Sequence, residues 1–596
     1  MGPGKVSRVI APPVRRRFRR PFHGFHGPAW SEFTRSGQRA YNAIGLLMRK
    51  TGMDSKSLLG RIERLVEIGV ALSAEGNTDR LLETILMGAK TITGADGGTL
   101  YLMEEEARSL RMAIVRTDSM AFAMGGSTGE PIPFPAIPLY DESGRPDDSM
   151  VVTYAVHHDL TVNIPDAYDT EAFDFSGTRA FDERTGYRSQ SFLTVPLKDH
   201  EGAIIGVLQL LNAVDEVTGA IVPFSPESER LAQSLASQAA IALTNKRLIS
   251  DLRGLFDSLI QLIADAIDEK SPYTGGHCRR VPVITMLLAD AVAETREGPF
   301  SDFVMNEDDR YELETAAWLH DCGKIATPEH VIDKATKLET IYDRIHAVDT
   351  RFEVLRRDAE IARLRRELEA LREGVFVDAD ALESELQATL STLAEEQALV
   401  RRSNPGGEYM EPAEQARLAE LARRYFVDHA GHKVALLDDD ELANLMIPKG
   451  TLTAAERQII NSHIDVTLQM LERLPFPKNL RNVPEFAGGH HERVDGKGYP
   501  KGLTGNEMSV QARIMAIADV FEALTAGDRP YKPAKKLSET LGIMARMAAE
   551  GHLDAALFDV FLQREVYLDY ARTHLKPEQI DDVDAASLRV AGWLAG

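Results

Sequence analysis

The spacing of apolar residues along this chain changes twice, and this change limits the possible folds more than any other feature. From 58 to 92 the apolar residues recur every three or four positions, as in an amphipathic helix. Three short β-type runs follow at 98–102, 192–197 and 204–211. Helical spacing returns from 227 onward. This order predicts a multidomain chain, with an α+β domain followed by an all-α region.

The helical region is interrupted by a charged stretch between 346 and 446. Two leucine stripes in this stretch predict a helical hairpin that resembles a coiled coil, followed by a Pro/Gly break at 404–407. The first stripe comprises Leu364, Leu368 and Leu371, and the second comprises Leu382, Leu386, Leu390 and Leu393. Two interpretations remain open for the hairpin, namely a solvated scaffold and an arm that binds a partner or forms a dimer.

Charge and cysteine content narrow the class of protein. The formal net charge is −23, which argues against a protein that coats nucleic acid. The two cysteines, Cys278 and Cys322, provide no disulfide framework, so we expect a reducing cytoplasm. The sequence has no apolar run of membrane-spanning length. The Arg-rich segment 1–55 is expected to be a disordered basic tail, or an arm that contacts an anionic surface.

Two clusters carry the chemistry. His320 and Asp321 are adjacent, and the carboxylate of such a pair can bridge two metal ions while the imidazole binds one. Lys324 follows three residues later, where a cation can hold a phosphate oxygen. The run 490–500 contains two adjacent histidines and a polar loop with glycines, a tyrosine that can stack on a base, and a proline.

Further imidazoles and a carboxylate lie elsewhere in the helical region. They are His277, His463 and Asp519, the last of which follows a largely apolar run. A carboxylate buried in such a run needs a compensating partner, and a metal ion would serve. Together the clusters offer five imidazoles and two carboxylates, which is a plausible supply for a two-metal site.

These residues resemble the HD-GYP branch of the HD phosphohydrolase superfamily over 260–345 and 447–570. The resemblance implies metal ligands at His277, His320, Asp321, His463, His490, His491 and Asp519. It implies catalytic roles for Asp321 and Lys324. It implies substrate contacts from Lys324, Gly498, Tyr499, Pro500, Arg529 and Lys532.

The resemblance also implies a reaction. The expected substrate is cyclic di-GMP, hydrolysed to linear pGpG and in some relatives on to GMP. The expected cofactors are two divalent metal ions, with iron or manganese favoured by His and carboxylate ligands and zinc also compatible. Two alternatives remain: a phosphohydrolase for another cyclic dinucleotide or a nucleotide, and a catalytically silent scaffold that binds a cyclic dinucleotide.

Two departures from the family pattern matter. The interval before the middle histidine is unusually long, so 346–446 is interpreted as an insertion, and His346 competes with His463 for the role of middle ligand. Tyr273 lies four residues before His277, where some relatives have a carboxylate. A phenol is a poor ligand at neutral pH, so we expect two metals rather than three and accumulation of pGpG.

The segment 56–247 resembles a GAF sensory domain, through 163–168, 181–189 and 206–212. Asn212, Phe224 and Glu229 match the signature of GAF domains that bind cyclic nucleotides, whereas Ala213 and Ser228 depart from it. A cyclic nucleotide is therefore one candidate ligand. Another ligand, or none, remains open.

The predicted organisation has five parts. These are a basic tail at 1–55, a GAF-like domain at 56–247, a connector helix at 248–259, a catalytic domain at 260–345 and 447–596, and a helical insertion at 346–446. The connector reads as a continuation of the last GAF-like helix, and such a helix can pair with its copy in a homodimer. Packing of this helix on its own domain is the alternative.

Overall fold

The computed structural model describes residues 55–215, 217–270, 276–407, 409–527 and 534–591. The chain divides into two compact units, one ending at Leu252 and the other beginning at Arg253. Among the helices within these ranges, none combines the length and apolar character needed to cross a membrane. The predicted basic tail falls almost wholly outside the described residues.

The first unit is built around an antiparallel sheet. Its elements are α1 (Ser55–Ala74), α2 (Thr78–Thr93), β1 (Ala95–Glu104), β2 (Ser109–Thr117), β3 (Phe122–Gly125), β4 (Ile137–Pro138), α3 (Val151–His158), β5 (Val162–Ile164), α4 (Ser176–Thr185), β6 (Phe192–Lys198), β7 (Ile204–Val214), β8 (Ile221–Val222) and the start of α5 (Pro226–Lys270). The strand order is β3-β2-β1-β7-β6-β5, with β4 paired to β2 and β8 to β7.

Both faces of this sheet are covered, because successive side chains of a strand point to opposite sides. Leu100 of β1 packs with residues of α2 and α5, whereas its neighbour Tyr101 packs on the other side with Val152 of α3. The predicted α+β class and its three β-type runs are confirmed in β1, β6 and β7. Strands β2 and β3 were not predicted.

Helix α5 is one uninterrupted element of 45 residues, as the sequence predicted. Apolar side chains that remain exposed follow one another along it at three- and four-residue spacing. They are Ile241, Leu248, Leu252, Leu255, Leu259 and Leu262, and a further exposed residue, Ile249, lies off this line. Asn245 is exposed at the same spacing between the first two. We call these seven residues the α5 stripe. Ile260, Ala264 and Ile267 of α5 are instead buried in the core of the second unit.

The second unit is predominantly helical. Its elements are the end of α5, then α6 (His277–Ala293), α7 (Glu307–Leu319), α8 (Glu329–Ile332), α9 (Ile345–Glu373), α10 (Ala379–Ser403), α11 (Pro412–Leu421), β9 (Tyr425–Val427), β10 (Lys433–Ala435), α12 (Asp439–Leu445), α13 (Ala454–Asn461), α14 (His463–Leu471), α15 (Val483–Gly488), α16 (Val510–Thr525), α17 (Leu537–Ala549), α18 (Ala555–Gln563) and α19 (Val566–His574).

Two separate cores stabilise this unit. The larger one includes Leu288 of α6, Leu313 of α7 and Phe521 of α16. The smaller one lies in the segment predicted as an insertion and includes Phe352 of α9 and Leu399 of α10. The segment therefore has its own hydrophobic centre.

The predicted hairpin is present as α9 and α10, but its two leucine stripes differ. Leu382 and Leu393 of α10 are buried. Leu364, Leu368 and Leu371 of α9 are exposed instead of packing inward. The spacing of leucines correctly indicated two helices, but it gave no information about which stripe the hairpin would cover.

Candidate metal centre

Helix ends bring the predicted ligands together. His277 begins α6, His463 begins α14, and His320 follows the last residue of α7. His490 and His491 come shortly after α15, while Asp519 projects from the middle of α16. A capping box between Asn306 and Asp309 fixes the start of α7.

The turn that follows Asp321 packs closely against α14. The backbone N–H of Gly323 donates to Thr467 Oγ1 at 2.9 Å. A Cβ atom at Gly323 would overlap the carbonyl oxygen of His463, so this approach requires glycine. The His320–Asp321 pair is thereby held beside His463, although roughly 140 residues separate them in sequence.

One oxygen of Asp321 faces the first half of the centre. Asp321 Oδ2 lies 3.3 Å from His277 Nε2 and 3.3 Å from His320 Nε2. Asp519 Oδ1 completes this half, at 3.3 Å from His277 Nε2 and 4.0 Å from His320 Nε2. Four side chains thus direct their ligating atoms at one small volume.

The other oxygen of Asp321 faces a second group. Asp321 Oδ1 lies 3.1 Å from His463 Nε2 and 4.0 Å from His490 Nε2. His463, His490 and His491 can place ligating atoms within 4.8 Å of one another. The carboxylate of Asp321 therefore stands between two sets of imidazoles.

Several atoms of this centre are buried without hydrogen-bond partners. Within the described part of the chain, Asp321 Oδ1, His463 Nε2 and His490 Nε2 have none. A buried polar atom without a partner is costly, roughly 1–3 kcal/mol. Imidazole nitrogens and a carboxylate that converge in this way form a donor set suited to divalent metal ions. The residues present therefore fit a metal pair.

For His490, His491 and Asp321, the surrounding charges and burial favour the protonation states that metal ligands need. Burial lowers the pKa of His491 to about 4, and burial together with neighbouring imidazoles lowers that of His490 well below its usual range. Burial alone would raise the pKa of Asp321, but Lys324 and His320 hold it well below the ordinary value. These two imidazoles are therefore neutral, and the carboxylate is ionised, at neutral pH.

Lys324 lies at the edge of the centre and forms an ion pair with Asp321 Oδ2. Burial alone would lower its pKa, but Asp321 and Asp519 raise it above the usual value, so the ammonium group stays charged. Its side chain retains partial exposure, at 23%. A charged, partly accessible amine beside the ligands can contact an anionic substrate.

The loop after His491 forms one wall of the centre. The ring of Tyr499 lies 4.9 Å from that of His491, centroid to centroid, at an interplanar angle of 30°. Pro500 follows through a cis peptide bond. Gly498 is required by a close backbone contact, because a Cβ there would overlap the backbone of Glu492 and Arg493.

Some sequence-predicted residues have other positions. His346 is exposed on the first turn of α9, so of the two candidates for the middle ligand it is His463 that lies beside Asp321. Arg529, Lys532 and Tyr273 lie outside the described residues. The assignment of individual ligands and substrate contacts stays a prediction.

Comparison with family models follows the same division of the chain. A model described as GAF domain matches residues 77–243. Two models described as HD domain match residues 274–385 and 439–557, on either side of the central part of the insertion. The chain combines a GAF domain with an HD domain. Both halves of the candidate metal centre lie in the HD domain.

Curated relatives share parts of this chain. A 3′3′-cGAMP-specific phosphodiesterase of Vibrio cholerae is 37% identical over 24% of this chain and 32% of its own length. A second such enzyme of that organism is 40% identical over 17% of this chain and 22% of its own. A cyclic di-GMP phosphodiesterase of Pseudomonas aeruginosa is 43% identical over 19% and 26%. The chain spans about a third or less of these relatives' lengths.

Two buried glutamates of the HD domain were missed by the sequence analysis. Glu492 accepts hydrogen bonds from the backbone N–H groups of Lys501 and Leu503, at 2.7 and 2.9 Å, and so closes the loop that carries Tyr499. Glu522 contacts His277. The sequence signal for Glu492 was its position directly after the His pair. The signal for Glu522 was its position one helical turn beyond Asp519, on the same helix face.

In the GAF domain, the residues of the predicted cyclic-nucleotide signature have internal roles. Asn212 is buried with φ of 54°, and its Oδ1 accepts from the backbone N–H of Gln190 at 2.8 Å. Glu229 accepts from Asn163 Nδ2 at 3.1 Å. Each of these contacts organises the domain whether or not a ligand is present.

Proposed function

We propose that this chain is a metal-dependent phosphodiesterase of the HD-GYP type that hydrolyses cyclic di-GMP to linear pGpG. The observation that carries the proposal is the position of Asp321, whose two carboxylate oxygens face two separate sets of imidazoles. A carboxylate between two such sets is the arrangement that a pair of metal ions needs. Three relatives named as cyclic dinucleotide phosphodiesterases support the same class of reaction.

Two bound divalent ions would supply Lewis-acid stabilisation of phosphoryl charge and activation of water. His277, His320 and Asp519 would hold one ion, His463, His490 and His491 would hold the other, and Asp321 would be shared between them. Lys324 offers a fixed positive charge to a phosphoryl oxygen. Tyr499 presents an aromatic face on which a base can stack, next to the loop that Glu492 holds closed.

Iron or manganese is the proposed metal, because imidazole and carboxylate ligands suit both ions. We propose two ions per chain and pGpG as the main product. The cytoplasm is the proposed location, supported by two buried cysteines that are both free thiols.

The substrate has a specific rival. The first two relatives named above are specific for 3′3′-cGAMP, a dinucleotide with the same sugar–phosphate ring and a different base. Lys324 and the proposed metal ligands would act on the shared phosphodiester. Discrimination between the two substrates would therefore depend on contacts to the bases.

Regulation by the GAF domain completes the proposal. A small molecule, with cyclic nucleotides as the first candidates, would bias activity if it favoured one arrangement of a shared element. Helix α5 is that element, since it contributes to the cores of both units. The exposed α5 stripe supports a homodimer formed through this helix.

The decisive experiment uses the purified full chain, loaded with manganese or anaerobically with iron. The protein is incubated with cyclic di-GMP and, separately, with 3′3′-cGAMP, and the products are resolved by chromatography. We expect pGpG from the first substrate and slower turnover of the second. Faster cleavage of 3′3′-cGAMP would reassign the substrate. Binding of either dinucleotide without cleavage, by protein with two bound metals, would make the chain a silent scaffold and overturn the proposed function.

A further inference from the structure

Glu522 is a buried carboxylate that contacts the candidate metal centre through His277 Nδ1, the ring nitrogen that does not face Asp321. It lies three residues after Asp519 on α16, and 1% of its surface is exposed. Its Oε2 accepts a hydrogen bond from His277 Nδ1. Its Oε1 accepts from Arg280 Nε at 2.6 Å. The carboxylate thus connects a predicted ligand to a half-buried cation.

This contact sets the tautomer that His277 adopts when its imidazole is neutral, as a metal ligand must be. An ionised carboxylate can only accept hydrogen bonds, so the proton of a neutral imidazole beside it must reside on Nδ1. The lone pair of Nε2 then points away from Glu522. That atom is the one that lies 3.3 Å from both Asp321 Oδ2 and Asp519 Oδ1.

Three other histidines of the centre are oriented by backbone carbonyl groups instead of a carboxylate. The Nδ1 atoms of His320, His463 and His490 bond the carbonyl oxygens of Ala317, Ile460 and Ala487, each three residues earlier, at 2.6–2.7 Å. Each of these histidines follows a helical turn that supplies the carbonyl. His277 is the first residue of its helix, so α6 contains no preceding turn. Among these four described imidazoles, only that of His277 is held by a carboxylate.

We propose that Glu522 is a positioning residue for the half of the metal centre formed by His277, His320 and Asp519. It holds the ring of His277 with Nε2 aimed at that half, and Arg280 compensates its buried charge. Partners of this kind orient a ligand and increase its basicity. Glu522 therefore increases the affinity for the ion next to His277 more than the affinity for the ion next to His463. This inference rests on the proposed metal centre.

The test replaces Glu522 with glutamine in the full chain. The isosteric amide has one acceptor atom, so it can no longer accept from both His277 and Arg280. Mn²⁺ binding is measured by equilibrium dialysis with metal analysis. We expect one of two Mn²⁺ ions to bind about 10- to 100-fold more weakly, with the other nearly unchanged. Electron paramagnetic resonance at limiting Mn²⁺ should then show single ions instead of a coupled pair.

A matched control is Glu312→Gln. Glu312 is also a buried helical glutamate with two accepted hydrogen bonds, from the backbone N–H and Nδ2 of Asn482, and it does not touch the centre. This variant should bind two Mn²⁺ ions with wild-type affinity. Glu522→Asp restores the charge with a shorter side chain and should recover part of the lost affinity.

Wild-type Mn²⁺ affinities in Glu522→Gln, or equal weakening of both ions, would overturn the inference. Equal losses in Glu312→Gln would also overturn it, because they would show a general effect of buried amides. Failure of the proposed function gives a different result: the wild-type chain binds two Mn²⁺ ions but cleaves no cyclic dinucleotide. The two ideas are therefore separable by binding and product analysis.

Discussion

Asp321 contributes one oxygen to each half of the candidate centre, so its removal should affect both ions at once. We expect Asp321→Ala to lose most bound metal and all detectable hydrolysis, because each of its two carboxylate oxygens faces a different set of imidazoles. Metal analysis and a cyclic di-GMP assay measure both effects. Asp465→Ala, at an exposed position of α14, is the control and should keep both properties. Full metal content in Asp321→Ala would contradict the bridging role.

Lys324 should matter for turnover and hardly at all for metal content. Its ammonium group forms an ion pair with Asp321. Removal of one donor that stabilises charge in the transition state lowers kcat by about two to three orders of magnitude. We expect Lys324→Ala to lower kcat by roughly 100-fold or more. Lys497→Ala, in the exposed part of the neighbouring loop, should leave kcat unchanged. Equal rates for Lys324→Ala and wild type would assign Lys324 a purely structural role.

At the scale of elements, the start of α14 decides which histidine completes the second half of the centre. His463 begins that helix 3.1 Å from Asp321 Oδ1, whereas His346 is exposed on α9. We expect His463→Ala to lose one metal ion and most hydrolysis, and His346→Ala to lose neither. Metal stoichiometry of the two variants makes the comparison, and loss of an ion from His346→Ala would reverse the assignment.

Helix α5 gives a second prediction at this scale. The α5 stripe follows the heptad repeat of a coiled coil, whose core positions are called a and d. Asn245 and Leu252 occupy a positions, and Leu248 and Leu255 occupy d positions. A single polar residue at a selects two-stranded pairing at some cost in stability. Light scattering should therefore find a dimer for the wild type, a monomer for Leu255→Glu and larger assemblies for Asn245→Leu. The control Ser250→Glu, off the stripe, should remain dimeric, and a monomeric wild type would exclude this interface.

Local patterns predicted the elements well and the contacts between them poorly. The runs at 192–197 and 204–211 form β6 and β7, because a short apolar run is visible in a few neighbouring positions of the sequence. The predicted ligands do meet in one centre. Their grouping was predicted from the family resemblance, because sequence spacing alone does not show which residues will be neighbours in the fold. The contact between Glu522 and His277 joins residues 245 positions apart, and no local signal predicts such a pair.

At the scale of the whole molecule, metal should stabilise the folded chain. The centre brings buried imidazoles and two carboxylates together, and an ion that binds the folded state alone stabilises it by mass action. Free Mn²⁺ at about 100 times its Kd should add about 2.7 kcal/mol and raise the unfolding temperature by several degrees. Differential scanning fluorimetry with Mn²⁺ or with chelator measures this. The Asp321→Ala variant should show no shift, and an equal shift in it would assign the effect to another site.

The spread of ligands along the chain has a consequence for biosynthesis. His277 leaves the ribosome about 240 residues before Asp519, and the insertion is translated between them. At roughly 5–20 residues per second, the interval is on the order of 10–50 s. During that time the early histidines lack the carboxylate supplied by α16. This half of the centre is therefore complete only after α16 has been translated, and a nascent chain halted before α16 would carry it without its second carboxylate.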